Sequence, residues 1–367
     1  MVLTIGITAA QDGSDSVPLR TPPRRRLLGL AATGLAFAAG AAAQAQAPGQ
    51  EVHVYSSRHY DTDRELYDAF TRETGIRVRL IEGDADQLIA RIRSEGANSP
   101  ADVLITVDAA RLARAKEAGI LQPIRSEVLE RRVPASLRDP DGTWFGVSKR
   151  ARVIMYDRQK GLPQGLARYE DLADPRFRGQ VCIRAAAHPY NTSLAGSILA
   201  ADGPERAEEW ARGVVANMAR PPQGGDRDQF RAIVAGQCGL AVSNTYYLAQ
   251  MAVSARAEDR AVAERIGVLF PNQAPGDRGA HVNVSGAGVV RTAPNPEAAR
   301  RFVEYLTGPR AQELFAVGNM EYPVVDDAPV HPALAALGTF REDGLNAARY
   351  AANAAQALQI MQRAGWR

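Results

Sequence analysis

The chain has little cysteine, almost no lysine and no surplus of charge of one sign. Cys182 and Cys238 are the only cysteines in 367 residues, so at most one intramolecular bridge can form. Of 44 basic residues only Lys116, Lys149 and Lys160 are lysines, which reads as coding bias and carries no function. The formal net charge is +3, and about +1 once residues 1–45 are set aside, too balanced for a nucleic-acid binder. Beyond the N-terminal segment no run is long and apolar enough to cross a bilayer, so the mature part is expected to be soluble. There is no internal repeat, no low-complexity stretch, no separate general acid and base pair, no Ser-His-Asp arrangement and no Walker pattern. With 46% apolar and 23% charged residues, the chain is an ordinary globular one, long enough for two cores.

What is present begins with an export signal. Arg24, Arg25 and Arg26 precede the apolar run 27–43, which ends in small residues that suit cleavage after Ala43 or Ala45. A basic segment, a short apolar core and a small-residue exit make a secretory signal peptide; the run is short and weakly hydrophobic for a membrane anchor. The arginine cluster followed by Leu27 and Leu28 also resembles a twin-arginine signal. Residues 1–20 match neither a signal nor a fold and read as a start-site extension, so residues 1–45 are set apart from the mature protein. In an oxidising compartment the even cysteine pair points to a disulfide between Cys182 and Cys238; two buried thiols are the alternative.

The mature chain alternates strand and helix patterns throughout, as an α/β protein does. Strands are expected at 51–55, 76–81 and 102–107. Helices with apolar faces are expected after Asp61-Thr62-Asp63, over 84–95 and over 109–118. An extended run over 144–156 is broken by Lys149-Arg150-Ala151-Arg152. A second series follows: a strand at 181–184, helices at 205–218 and 229–235, and a strand at 240–243 that runs into a helix opened by Thr245-Tyr246-Tyr247. A strand at 266–270 and a Gly-rich strand at 282–290 come next. Asn295 and Pro296 then start a helix that stops at Gly308-Pro309.

Tyrosine is the informative residue. There are eleven, and several stand in polar, turn-like surroundings. Arg58-His59-Tyr60-Asp61, His188-Pro189-Tyr190-Asn191 and Asn244-Thr245-Tyr246-Tyr247 each follow a strand end, where open α/β sheets bind their ligands. Phenolate is an anionic oxygen ligand suited to a hard, highly charged cation. A free phenol ionises only near pH ~10, so a trivalent metal is the natural stabiliser of several phenolates at once. Tyr246 and Tyr247 also fall at a helix N-terminus, where the positive dipole end favours an anion. Taken singly, each tyrosine is better explained as a core or rim residue with a bonded hydroxyl. That reading is retained for Tyr55, Tyr67, Tyr156, Tyr169, Tyr305, Tyr322 and Tyr350. His188 reads as an exposed loop residue, with Pro189 pushing it toward extended geometry.

Five segments resemble the signatures of the periplasmic ferric-iron-binding proteins of ABC transporters. They are Tyr55-Ser56-Ser57-Arg58-His59-Tyr60, the stretch 94–103 around Asn98-Ser99-Pro100, Ser148-Lys149-Arg150-Ala151-Arg152-Val153, Asn244-Thr245-Tyr246-Tyr247, and His281-Val282-Asn283-Val284-Ser285-Gly286. The resemblance runs from about Glu51 to Trp366 and keeps the motif order. It implies Fe(III) ligation by Tyr60, Tyr190, Tyr246 and Tyr247, and makes His59 a further ligand used by some members. It also implies a small anion such as carbonate held by a basic residue, Arg150 first and Arg152 second; the alternative for both arginines is a solvated or inter-domain salt bridge. The implied fold is the type II periplasmic binding protein fold, two α/β domains joined by crossing strands with the ligand in the cleft. The crossings should fall near 150–153 and 279–284, so that domain one takes 50–150 plus 279–326 and domain two takes 151–278 plus 327–367. The implied partners are ferric iron and an inner-membrane ABC permease, for a periplasmic and monomeric protein.

Two other readings compete. A binding protein of the same fold for an organic or oxyanion solute would need acidic or phosphate-cradling groups and leaves Tyr190, Tyr246 and Tyr247 unexplained. An iron enzyme with Tyr and His ligands would need an open coordination position for substrate, which a carrier does not.

Overall fold

The computed structural model describes residues 50–367 apart from His59. The export signal expected in residues 1–45 and the ligand candidate His59 therefore lie outside the described residues. From Glu51 the chain alternates as its periodicity predicts. Strand β1 (Glu51–Ser56) is followed by helix α1 (Asp63–Thr74), β2 (Arg77–Glu82), α2 (Ala85–Glu95), β3 (Val103–Thr106) and α3 (Ala109–Glu117). β4 (Leu121–Gln122) and α4 (Glu127–Arg132) lead into the long β5 (Phe145–Asp157). Next come β6 (Val181–Cys182), α5 (Pro189–Asp202), α6 (Pro204–Ala216), α7 (Asp226–Val234), β7 (Leu240–Asn244) and α8 (Thr245–Ala252). α9 (Ala257–Arg265), β8 (Ile266–Leu269) and β9 (Val282–Val290) precede α10 (Pro296–Leu306) and α11 (Pro309–Asn319). Three short helices, α12 (Pro332–Ala335), α13 (Ala347–Ala352) and α14 (Ala354–Arg363), close the chain.

Local signals explain most of these boundaries. α1 buries Leu66, Tyr67 and Phe70 and ends at Gly75, whose φ of 73° is the left-handed stop that glycine takes without a Cβ penalty. Asp84 caps α2 by accepting from the backbone of Asp86 and Gln87. Pro296 opens α10 as expected, but Asn295 makes no side-chain cap; it donates its amide groups to the buried Asp102 instead.

Strand order is β2-β1-β3-β9-β5-β7-β6, with β4 on β9 and β8 on β5. β1 runs parallel to β2 and β3, and β6 parallel to β7. β5 belongs to both halves of this arrangement. Its first part, Phe145 to Ala151, pairs antiparallel with β9, and its second part, from Arg152 onward, pairs with β7 and β8. One apolar core, around Val54, Phe70 and Phe302, also takes in Phe230, Ala241 and Leu248 of the other half; a second lies around Leu194, Trp210 and Trp366. A disulfide joins Cys182 in β6 to Cys238, two residues before β7.

Three expectations need correction. β5 is not interrupted by its basic residues, because Arg150 and Arg152 are each only 2% exposed and find buried acceptors. The loop expected around Tyr190 is the first turn of a 14-residue helix, α5. Every residue from Tyr190 to Leu199 is buried in it, so no polar face marked a helical period. Gly308-Pro309 does not merely stop α10: Pro309 occupies the first turn of α11.

Candidate metal centre

The tyrosine-bearing segments all lie beyond the carboxyl ends of strands. Tyr60 stands in the turn between β1 and α1. Tyr190 is in the first turn of α5, reached from β6. Tyr246 and Tyr247 open α8 directly after β7. β1 and β7 are buried along most of their length, so the first polar residues free to turn out of the sheet are those past their ends.

The structure brings these tyrosines together. The hydroxyls of Tyr190 and Tyr246 lie 2.9 Å apart, in hydrogen-bond contact. The rings of Tyr246 and Tyr247 are 4.2 Å apart between centroids. Burial, and then the presence of other phenols including Tyr60, raises the ionisation of both Tyr190 and Tyr246 well above the ordinary range. Tyr60 is pushed up to about 12, by burial first and then by Glu321. Arg150 acts in the opposite sense on all three. Without a cation the group is therefore neutral and protonated; a metal is what would make it anionic. Among the described residues no three His, Cys, Asp or Glu side chains gather into a metal-binding group, so the hard donors that do converge are phenols.

Guanidinium groups ring the cluster. Arg150, Arg152 and Arg184 lie 5.8, 5.7 and 5.5 Å from the centre of the Tyr190 ring. Arg150 donates to Ser285 Oγ at 2.9 Å and pairs with Glu321 at 3.5 Å. Arg152 donates to Asn191, Asn244 and Asp226. Arg150 with Glu321 and Arg152 with Asp226 are thus buried ion pairs, desolvated rather than solvated.

On the other side Arg58 holds the Tyr60 turn. It is 1% exposed, grips Asp63 through two nitrogens at 2.7 and 3.1 Å, and reaches Glu321 at 3.1 Å. Its guanidinium lies 4.8 Å from the centre of the Tyr60 ring. Asn319 fastens the same turn, accepting from Thr62 at 2.5 Å and donating to Asp63 at 3.1 Å. A cleft of about 490 Å³ bordered by Ser57, Arg58, Gly83, Arg111, His188 and Tyr190 opens beside the cluster.

His188 is not the exposed loop residue expected. It is half-buried, caps α5 by accepting the Tyr190 N–H on Nδ1, and packs edge-on against the Tyr190 ring at 4.4 Å. Burial, and then Arg184 and Arg152, hold it down at about 3, so it stays neutral. Arg58, Asp63, Glu321, Asp226 and Asn191 were missed as contributors. Arg58 and Asp63 flank Tyr60 closely enough to have been suspected. Glu321 and Asp226 are far from the tyrosines in sequence and gave no signal.

The family model described as bacterial extracellular solute-binding protein matches residues 98–344. The chain is 52% identical over 325 residues to iron uptake protein A1 of Synechocystis sp., covering 88% of this chain and 90% of that protein. It is 28% identical over 341 residues to the Fe(3+)-binding periplasmic protein of Serratia marcescens, covering 92% and 96%. Among solved structures, a Trichodesmium protein in complex with iron and citrate ligands superposes with a TM-score of 0.83 at 52% identity, covering 86% of this chain and all of that one. A Bordetella ferric binding protein superposes with a TM-score of 0.80 at 40% identity, covering 86% and 99%.

Proposed function

The chain belongs to the bacterial extracellular solute-binding protein family, and from that premise we propose that it captures ferric iron through tyrosine phenolates and delivers it to an ABC permease in the inner membrane. The observation that carries the reading is the convergence of Tyr190, Tyr246 and Tyr247 on two helix N-termini, with the Tyr190 and Tyr246 hydroxyls 2.9 Å apart. Tyr190 and Tyr246, adjacent neutral phenols of raised pKa, are poised to exchange protons for a hard trivalent ion. Tyr60 is the fourth ligand and His59 a further candidate. Three phenolates balance the 3+ charge; the fourth leaves an anionic site that the surrounding arginines offset. The names of the relatives, an iron uptake protein and ferric binding proteins, support iron as the cargo.

An anion completes the shell in this reading. Arg150 is the basic group beside it, and the citrate that accompanies iron in the Trichodesmium structure supports a small carboxylate or carbonate in that role. The division into 50–150 plus 279–326 and 151–278 plus 327–367 is supported by the switch of β5 from one set of partners to the other between Ala151 and Arg152. Iron would then bridge Tyr60 on one side to three tyrosines on the other and favour the closed form, by its differential affinity for it. The protein acts as a periplasmic monomer, exported by the cleaved, twin-arginine-like signal.

The deciding experiment is the colour of the purified protein. Loaded with Fe(III), it should show a phenolate-to-iron charge-transfer band, orange to red, that a strong chelator bleaches. A colourless protein that retains stoichiometric iron would rule out phenolate ligation.

A further inference from the structure

The cluster of phenols rests on a buried guanidinium whose position is hard to explain by packing alone. Arg152 is 2% exposed, in β5. Its Nη2 donates to Asn191 Oδ1 at 2.7 Å, and its Nη1 to Asn244 Oδ1 at 3.1 Å and to Asp226 Oδ2 at 3.3 Å. Asn191 is the residue after Tyr190 in the first turn of α5, and Asn244 is the residue from which α8, with Tyr246 and Tyr247, begins. One planar fork thus grips the starts of both helices that present the cluster.

The grip is braced from behind. Asp226, wholly buried at the start of α7, accepts from Arg152, from the Asn244 backbone N–H at 2.8 Å and from Arg184 at 3.3 Å. Asn191 Nδ2 in turn donates to the Arg184 carbonyl at 2.9 Å. The bonds close into a ring through Arg152, Asn191, Arg184 and Asp226. A buried charge is costly to desolvate, and here the Asp226 carboxylate and the two amide oxygens on the terminal nitrogens offset that cost. A lysine could not reproduce the rigid fork that spans two acceptors on separate helices.

We infer that Arg152, braced by Asp226, is the positioning residue of the site: it fixes Tyr190 relative to Tyr246 and Tyr247, so that three phenols stand assembled before any metal arrives. This rests on the tyrosine–iron reading above. It gives Arg152 a role different from the anion-holding one expected of it, since both terminal nitrogens already serve the two helix starts.

The test is Arg152→Lys, with Asn244→Ala as the second variant, because it removes one acceptor and leaves the buried charge pair in place. Outer-shell partners of metal ligands typically hold about 10- to 100-fold in affinity. A loss of that size in Fe(III) affinity, together with a displaced charge-transfer band, is expected for Arg152→Lys, and a smaller change of the same kind for Asn244→Ala. In the metal-free protein, amide exchange should quicken at residues 190–193 and 245–248 and stay at the parent rate in β1 to β3. A lowered melting temperature with an unmoved band, whether or not affinity falls, means a merely structural role and overturns the inference. If Arg152→Lys does not fold, the same criterion is applied to Asn244→Ala. If the parent itself shows no Fe(III) band, the iron reading fails, and amide exchange in the metal-free variant alone decides the positioning role: unchanged rates at the two helix starts overturn it.

Discussion

The two sides of the site are built by different means. Tyr190, Tyr246 and Tyr247 sit on the first turns of two helices, touch one another, and are held from beneath by Arg152, Asn191, Asn244 and Asp226. Tyr60 sits in a turn between β1 and α1 and is held indirectly, through Arg58, Asp63 and Asn319. Helix starts fix a side chain's direction and supply a positive dipole end. A turn supplies neither, but it moves as a unit with whatever it is fastened to. Under the proposed function the difference becomes a division of labour, in which the helix-borne tyrosines would give affinity and the turn-borne one would report closure.

The comparison can be broken most sharply at the helix starts. Tyr246→Phe and Tyr247→Phe keep the ring and remove a donor oxygen, so folding should persist. Affinity for Fe(III) should fall by more than the ~100-fold that an outer-shell change produces, with the band shifted or lost. Parent-like binding in both variants would move the site elsewhere, and Tyr67→Phe, in the α1 core, should change nothing.

Acidity comes next. The phenols are held protonated in the metal-free protein, Tyr190 and Tyr246 well above the ordinary range and Tyr60 at about 12, all by burial first. Iron must displace these protons, so apparent affinity should fall about tenfold per pH unit for each phenol that ionises. A metal titration repeated between neutral and mildly acidic pH would show it, and a flat profile would exclude phenolate ligands. The same shifts have the opposite consequence for the metal-free fold. A phenol whose pKa is raised on folding stabilises the native state below pH 10, and that contribution is lost as pH rises toward about 12.

Tyr60→Phe sharpens the comparison from the other side. Binding should weaken by less than in Tyr246→Phe or Tyr247→Phe and keep a visible band, because the helix-borne cluster of Tyr190, Tyr246 and Tyr247 stays intact. Most of the iron-induced decrease in radius of gyration should disappear in solution scattering. Complete loss of binding would mean that the turn and the helix starts are equal partners. The smallest effect on iron is expected from the disulfide. Reducing Cys182–Cys238, which closes a loop of separation 56, should cost about 4 kcal/mol of stability in the chain-entropy account. Iron affinity should stay at the parent value, since neither sulfur suits the hard site.

Much of this was legible in the sequence because it depends on local rules. Apolar periods, Gly75 and Pro296 marked elements near their observed limits, and the tyrosines past strand ends are residues that the fold brings together. α5 was not legible, because a helix buried on all sides has no amphipathic period, and so Tyr190 was expected in a loop and His188 at the surface. Nor was the continuity of β5, since Arg150 and Arg152 look like a solvated interruption until their acceptors are known.

The sequence by itself determined which residues can ligate a hard cation and roughly where along the chain each would stand, because residue chemistry and strand-end placement are properties of short segments. Only the tertiary structure decided that Tyr190 meets Tyr246 at 2.9 Å, and that Glu321 and Asp226 pair with the arginines beneath them. Those pairings join residues many tens of positions apart, and a buried charge acquires its role only from the partner that the fold brings to it.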